Sequence, residues 1–159
     1  IPQQVIEERK YIVRLIGDIP GAIESDIKQT YLTSEPCSEV RLRRRTLNGV
    51  SVNVRTTKKT LPTNEQVETE RQIDNNLYES LMRQADPYRY SIHKIRKTFI
   101  WRGQFFELDT YLEPISNLQI LETKGIVDHE DVNFPPFLEV LEDITGKTEY
   151  YNYNLALKR

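Results

Sequence analysis

The sequence predicts an α+β domain built mainly from an antiparallel sheet, and three observations carry that prediction. Apolar and polar residues alternate with period 2 over several separate stretches. Compact turn signals sit between those stretches. Only three segments show helical spacing instead. The length of 159 residues suits one domain, and 38% hydrophobic against 29% charged residues allows a closed core.

Along the chain, Ala22 to Gln29 is the first helical candidate. Val40 to Arg45 follows as a strand with Val40 and Leu42 on one face and Arg41, Arg43 and Arg45 on the other. Asn48-Gly49 predicts a type I′ hairpin turn into a strand over Ser51 to Lys58. Ile73, Leu77, Leu81 and Ala85 lie one turn apart, which predicts a helix over Ile73 to Ala85. Tyr90 to Trp101 and Phe105 to Leu112 then read as a hairpin about Arg102-Gly103-Gln104, and Leu118 to Lys124 as another strand. Phe137, Val140, Leu141 and Ile144 predict a last helix over Pro136 to Ile144, stopped at Gly146. Neither a repeat nor a linker interrupts the chain, so residues 1–159 are expected to be a single domain, cut from a longer protein because Ile1 is not Met.

Charge is segregated beneath a net total of −2. Seven basic and no acidic residues lie between Val40 and Asn64, whereas Phe105 to Glu149 holds eleven acidic residues against Lys124 and Lys147. A solvated sheet face would mix its signs. Residues i and i+2 of a strand lie about 7 Å apart on one side. Paired cations at that spacing can straddle neighbouring phosphoryl groups, and paired carboxylates can share a divalent cation. A sheet closed with its charged faces inward would form a polar tunnel.

Other signals are assigned structural roles. His93 and His129 lack metal-ligand spacing, and Cys37 has no recognisable histidine partner. Phe99 and Trp101 belong to an apolar face. Arg44 points away from Arg43 and Arg45, which breaks a nucleic-acid patch, and no nucleic-acid partner is expected. One cysteine, no signal peptide and no apolar run of membrane length lead to a cytoplasmic expectation.

In order, Glu8-Arg9-Lys10, Arg41-Leu42-Arg43, Thr56-Thr57-Lys58, Glu68-Thr69-Glu70, Lys94-Ile95-Arg96, Glu107-Leu108-Asp109 and Leu121-Glu122 form a string of charged-pair motifs. It ends in Asp143-Ile144-Thr145-Gly146 and Tyr153-Asn154-Leu155-Ala156. This series resembles the CYTH family, the triphosphate tunnel metalloenzymes. The resemblance implies an eight-stranded antiparallel β-barrel with helices packed outside, which binds a polyphosphate or triphosphate ligand and Mg²⁺ or Mn²⁺. Phosphate binding would fall to Lys10, Arg41, Arg43, Lys58, Lys94 and Arg96, and metal binding to Glu8 and Glu122. Asp109 first, then Glu70, Glu68 and Glu107, would orient water or hold the basic side chains. Two positions depart from the pattern: Ile6 and Lys124 stand where the family carries metal-side Glu.

The implied function is a metal-dependent triphosphatase acting on tripolyphosphate or an organic triphosphate. The alternative is a binding module for nucleoside triphosphates or phosphoinositide headgroups. Arg83 to Pro87 and Phe106 to Tyr111 are similar to the CYTH-like domains of proteins named for defective translocation of the TRPL channel. That likeness implies a P-loop NTPase domain in the same chain, with GTP and phospholipid binding.

Overall fold

Alternation of inward and outward side chains builds most of the molecule. The computed structural model describes residues 8–126 and 128–159. Its strands in chain order are β1 (Glu8–Leu15), β2 (Ile23–Leu32), β3 (Ser38–Leu47), β4 (Val50–Thr60), β5 (Gln66–Ile73), β6 (Ile92–Trp101), β7 (Gln104–Glu113), β8 (Gln119–Lys124) and β9 (Leu138–Asp143). They form one sheet in the order β5-β4-β3-β2-β6-β7-β8-β1-β9, antiparallel at every step. Two primed turns sharpen its hairpins. Asn48 and Gly49 have φ of 51° and 77°, and Arg102 and Gly103 have 48° and 75°, so both central residues of each turn are left-handed and follow the strand twist.

Core residues divide between the two faces. On the outer face Tyr11, Val13, Phe99, Phe106, Leu108 and Leu121 cluster under Val132 and Leu138, with Trp101, Phe134 and Phe137 packed against them. Phe99 and Phe106 stack at 5.4 Å, as their apolar alternation predicts. A second outer cluster joins Leu32 and Leu42 to Ile73 and Tyr78 beneath α1 (Asn75–Met82). Arg44 belongs to this outer side, its guanidinium 4.1 Å from the Tyr78 ring centroid. The inner face holds Tyr31, Ile92, Tyr111 and Ile120 against Ile144 and Ala156, the latter just beyond α2 (Asn152–Leu155).

The structure corrects the expected barrel. Among the described residues there are nine strands rather than eight, and their sheet is open, with β5 and β9 at its edges. The reason is local: the second edge of β1 is occupied by β9 from Tyr11 to Leu15, so that stretch cannot close onto β5. Curvature survives without closure. Glu8 and Lys10 of β1 line one cleft with Arg41 of β3 and Lys58 of β4, strands far from β1 in the sheet order, so the inner face is a trough.

Two expected helices are strands. Ala22 to Gln29 falls in β2, where Ser25, Ile27, Gln29 and Tyr31 are buried and Glu24 and Lys28 are exposed. The i, i+4 pair Ile23 and Ile27 fits a strand equally well, because a spacing of four is also two strand periods. Pro136 to Ile144 contains β9, whose register with β1 shifts between Ile12 and Val13. The shift steps past Leu141, so Leu138 joins the outer cluster and Ile144 the inner one. Gly146 (φ 77°) turns the chain after a strand, not a helix. The helix expected over Ile73 to Ala85 is shorter, since Ile73 ends β5 and Asp74 caps α1 by accepting from the Leu77 amide at 2.8 Å. Its buried residue is Tyr78, while Leu77 is 43% exposed. Among the described residues α1 alone covers an outer face as a helix, and the segment around Val132 and Phe137 covers the rest.

Candidate anion-binding trough

Strand parity brings the charged pairs to one side. Arg41 and Arg43 of β3 oppose Tyr31 and Gln29 of β2, and Lys94 and Arg96 of β6 oppose Ile27 and Ser25. Across the next ladder Arg96 opposes Asp109, and Glu107 of β7 opposes Glu122 of β8. Lys10 of β1 opposes Glu122 from the other side. Directly opposed residues project together, so these side chains share the inner face.

The tightest knot is Asp109. Lys94 Nζ donates to its Oδ2 at 2.8 Å, while Arg96 donates from Nε to Oδ1 at 2.7 Å and from its terminal nitrogen to Oδ2 at 2.9 Å. Arg96 also pairs with Glu107 at 2.6 Å. Burial works to raise the Asp109 carboxyl, but Lys94 and Arg96 outweigh it and hold the group well below the carboxylate range. Lys94 has no exposed surface, and burial lowers it to about 8 against the opposing pull of Asp109. It lacks a carboxylate of its own, because Arg96 shares the one it has.

The β3–β4 wall is held differently. Arg43 donates from Nε and a terminal nitrogen to Gln29 Oε1 at 3.0 and 2.9 Å, and Gln29 in turn donates to the Tyr31 hydroxyl at 2.7 Å. A neutral amide thus positions this guanidinium, and burial, reinforced by Arg41, lowers it to about 10. Arg41 stands 3.9 Å from Glu68, and its Nε is buried without a hydrogen-bond partner. Glu70 accepts from Thr56 at 3.3 Å on the exposed strand β5. Glu8, Lys10, Arg41 and Lys58 line a cleft of about 380 Å³ with Tyr31 and Tyr151. Deeper in, Lys10, Arg96, Asp109 and Glu122 meet around a space of about 30 Å³ with Tyr111 and Asn152, whose side chains are joined at 2.6 Å.

Glu8 of β1 and Glu122 of β8 are neighbouring carboxylates on adjacent strands. Burial, then the neighbouring Glu8, pushes Glu122 up to about 7. Lys10 lies 3.6 Å from Glu8 and Lys124 3.9 Å from Glu122. Among the described residues no three His, Cys, Asp or Glu side chains are grouped to hold a metal ion. Two carboxylates still suit Mg²⁺, which completes its shell with water and substrate phosphate rather than a protein cage. The expectation at Ile6 lies outside the described residues.

Strand parity puts the twelve residues singled out in the sequence on the inner face, but only Glu8, Lys10, Arg41, Lys58, Arg96, Asp109 and Glu122 line the two clefts, and Glu68 and Glu70 stand on the exposed edge strand β5. Sequence reasoning missed Ser25 and Gln29, which lie in the segment read as a helix, and Tyr31, which follows it in the same strand. The alternation from Ile23 to Tyr31 was the available signal. Alternation along the strand places Tyr111 on the face of Glu107 and Asp109, whereas nothing local marks Tyr151 or Asn152 as an aromatic or amide that faces a trough.

No family model matches the chain, and no curated protein matches it in sequence. Solved structures do match. The inorganic triphosphatase NE1496 superposes with a TM-score of 0.71 at 25% identity, covering 99% of this chain and 97% of that one. The chain has the fold of an inorganic triphosphatase. A second crystal structure of NE1496 gives 0.70 at 26% identity over 97% of this chain and 99% of that one. A conserved hypothetical protein from Pyrococcus furiosus shares the fold at 18% identity and a TM-score of 0.50, over 79% of this chain and 81% of its own. These likenesses agree with the CYTH-like fold implied by the motif series. No helix among the described residues is long and apolar enough to cross a membrane.

Proposed function

We propose that this chain is a triphosphatase that hydrolyses tripolyphosphate or an organic triphosphate with Mg²⁺ or Mn²⁺. The observation that carries the reading is the β3–β4 wall: Arg41 and Arg43 are half-buried on the inner face with a neutral amide and a buried, unpartnered Nε where structural arginines would carry close carboxylates. A polyphosphate supplies the missing acceptors. The match to NE1496 along nearly the whole of both chains supports the same reading.

Lys10, Arg41, Arg43, Lys58, Lys94 and Arg96 bind the non-bridging oxygens and draw the ligand straight. Asp109 acts by holding Lys94 and Arg96, since a carboxylate that accepts three charge-assisted bonds is a poor base. Glu107, Glu68 and Glu70 each engage a neighbour through one oxygen, which makes them the candidates for orienting the attacking water. Glu8 and Glu122 would hold the divalent cation, which when bound neutralises charge on the phosphoryl oxygens. Water adds to the terminal phosphorus, the anhydride bond breaks, and orthophosphate leaves the shortened diphosphate.

One observation favours a second reading. Lys124 lies beside Glu122, where it repels a cation and attracts an anion, as suits a module that binds triphosphates or phosphoinositide headgroups without turnover. A P-loop NTPase domain in the same chain, with GTP and phospholipid binding, belongs to this reading. Phosphate release from tripolyphosphate with Mg²⁺ or Mn²⁺ decides between them. Metal-dependent release that is lost in Glu122→Gln and in Arg43→Ala supports the enzyme. Binding that Arg43→Ala abolishes, with no release above background, leaves the module.

A further inference from the structure

We propose that Ser25 is a further ligand-contacting residue of the trough, donating its hydroxyl to a phosphoryl oxygen; this rests on the reading of the trough as a polyphosphate site. Ser25 is 1% exposed, and its Oγ is buried without a hydrogen-bond partner. Native proteins rarely leave such a group unpaired, because a desolvated hydroxyl costs stability that an alanine would not. Its surroundings say what is missing. Ser25 shares the inner face of β2 with Gln29 and Tyr31 and lies directly opposite Arg96 of β6. The flanking residues of that face, Ile23 and Ile27, offer no side-chain acceptor. Arg96 is a donor only, fixed in place by Asp109 and Glu107.

A hydroxyl and a guanidinium side by side, with the neighbouring carboxylates engaged by cations, leave one kind of group wanting: an acceptor that takes hydrogen bonds from both. A phosphoryl oxygen does so, because it carries several lone pairs and charge to match Arg96. The other buried side-chain atom without a partner among the described residues, Arg41 Nε, is also a donor, on the same face. Both vacancies therefore ask for an anion. Ser25 adds to the cationic set a neutral contact that grips without repelling Lys94 or Arg96.

The test compares wild type, Ser25→Ala, Ser25→Thr and Arg43→Ala by calorimetric titration with inorganic tripolyphosphate, alongside thermal melting. Removing a hydrogen bond to a charged ligand should weaken binding by about 10-fold or more in Ser25→Ala. The melting temperature of that variant should stay level or rise, because a buried unpaired hydroxyl has gone. Ser25→Thr, which keeps the hydroxyl, should bind within a few-fold of wild type. Affinity within two-fold of wild type in Ser25→Ala, or a fall in melting temperature together with affinity, overturns the assignment and leaves the anion site standing. Folded wild type that does not bind tripolyphosphate overturns both.

Discussion

Replacing Asp109 by Asn changes one charge at the centre of the trough and leaves its shape nearly intact. Asp109 is 7% exposed, and its carboxylate is held by Lys94, which has no exposed surface, and by two bonds from Arg96. Removing one partner of a buried ion pair costs about 3–5 kcal/mol, because the charge left behind has no water to replace it. For a domain of this size each kcal/mol moves the midpoint by about 2–4 °C, so Asp109→Asn should melt on the order of 10 °C below wild type at pH 7. The loss should also depend on pH, with a definite sign. Lys94 already titrates near 8, below its usual value, and without Asp109 it falls further. A lysine whose folded pKa is depressed binds more protons in the unfolded state, so its penalty shrinks as pH rises through that window. In wild type the same relief begins near pH 8, and in the variant it begins lower. The gap between the two proteins should therefore narrow from pH 7 to pH 9, leaving the part owed to Arg96. Urea denaturation at both pH values measures it. A gap below about 1 kcal/mol at pH 7, or one that widens on raising the pH, refutes the claim that Asp109 holds these cations.

Lys94 should also print its titration on ligand binding: affinity for fully ionised tripolyphosphate should fall as pH rises through about 8, when the buried ammonium loses its proton. Calorimetry on wild type and Lys94→Gln checks this, the variant binding weakly with that limb of the profile absent. Asp74→Ala, which deletes the cap of α1, should cost about 1 kcal/mol and leave tripolyphosphate affinity unchanged, since α1 lies on the outer face. Melting and titration of the same sample give both values.

The twelve charged residues were legible because strands place i and i+2 together, and a pair such as Arg41 and Arg43 declares its face without help from the rest of the fold. Global closure was not legible in this way. Whether β1 meets β5 or β9 depends on which strand reaches its free edge, and β9 was hidden by a register shift that gives Leu138, Val140, Leu141 and Ile144 a helical look. β2 was hidden for a related reason: Ile23 and Ile27 satisfy both periods, and only the burial of Gln29 and Tyr31 decides between them. The missed residues of the trough fall mainly in that misread strand. Errors of local period thus became errors of site composition.

The two walls of the trough then differ in a way that bears on where a ligand sits. On the β6–β7 wall, Lys94 and Arg96 are already matched by Asp109 and Glu107, so an arriving anion finds rigid donors in a nearly neutral setting. On the β3–β4 wall, Arg43 rests on an amide, Arg41 stands 3.9 Å from its carboxylate, and Lys58 lines the cleft between them and β1. Unmatched positive charge concentrates there. A polyphosphate gains most by neutralising the second wall and takes its orientation from the first, because pre-paired groups cost little further ordering when they bind. Arg43→Ala should accordingly fall mainly on affinity, and Asp109→Asn, which removes the pairing carboxylate and no ligand-binding cation, mainly on stability and geometry.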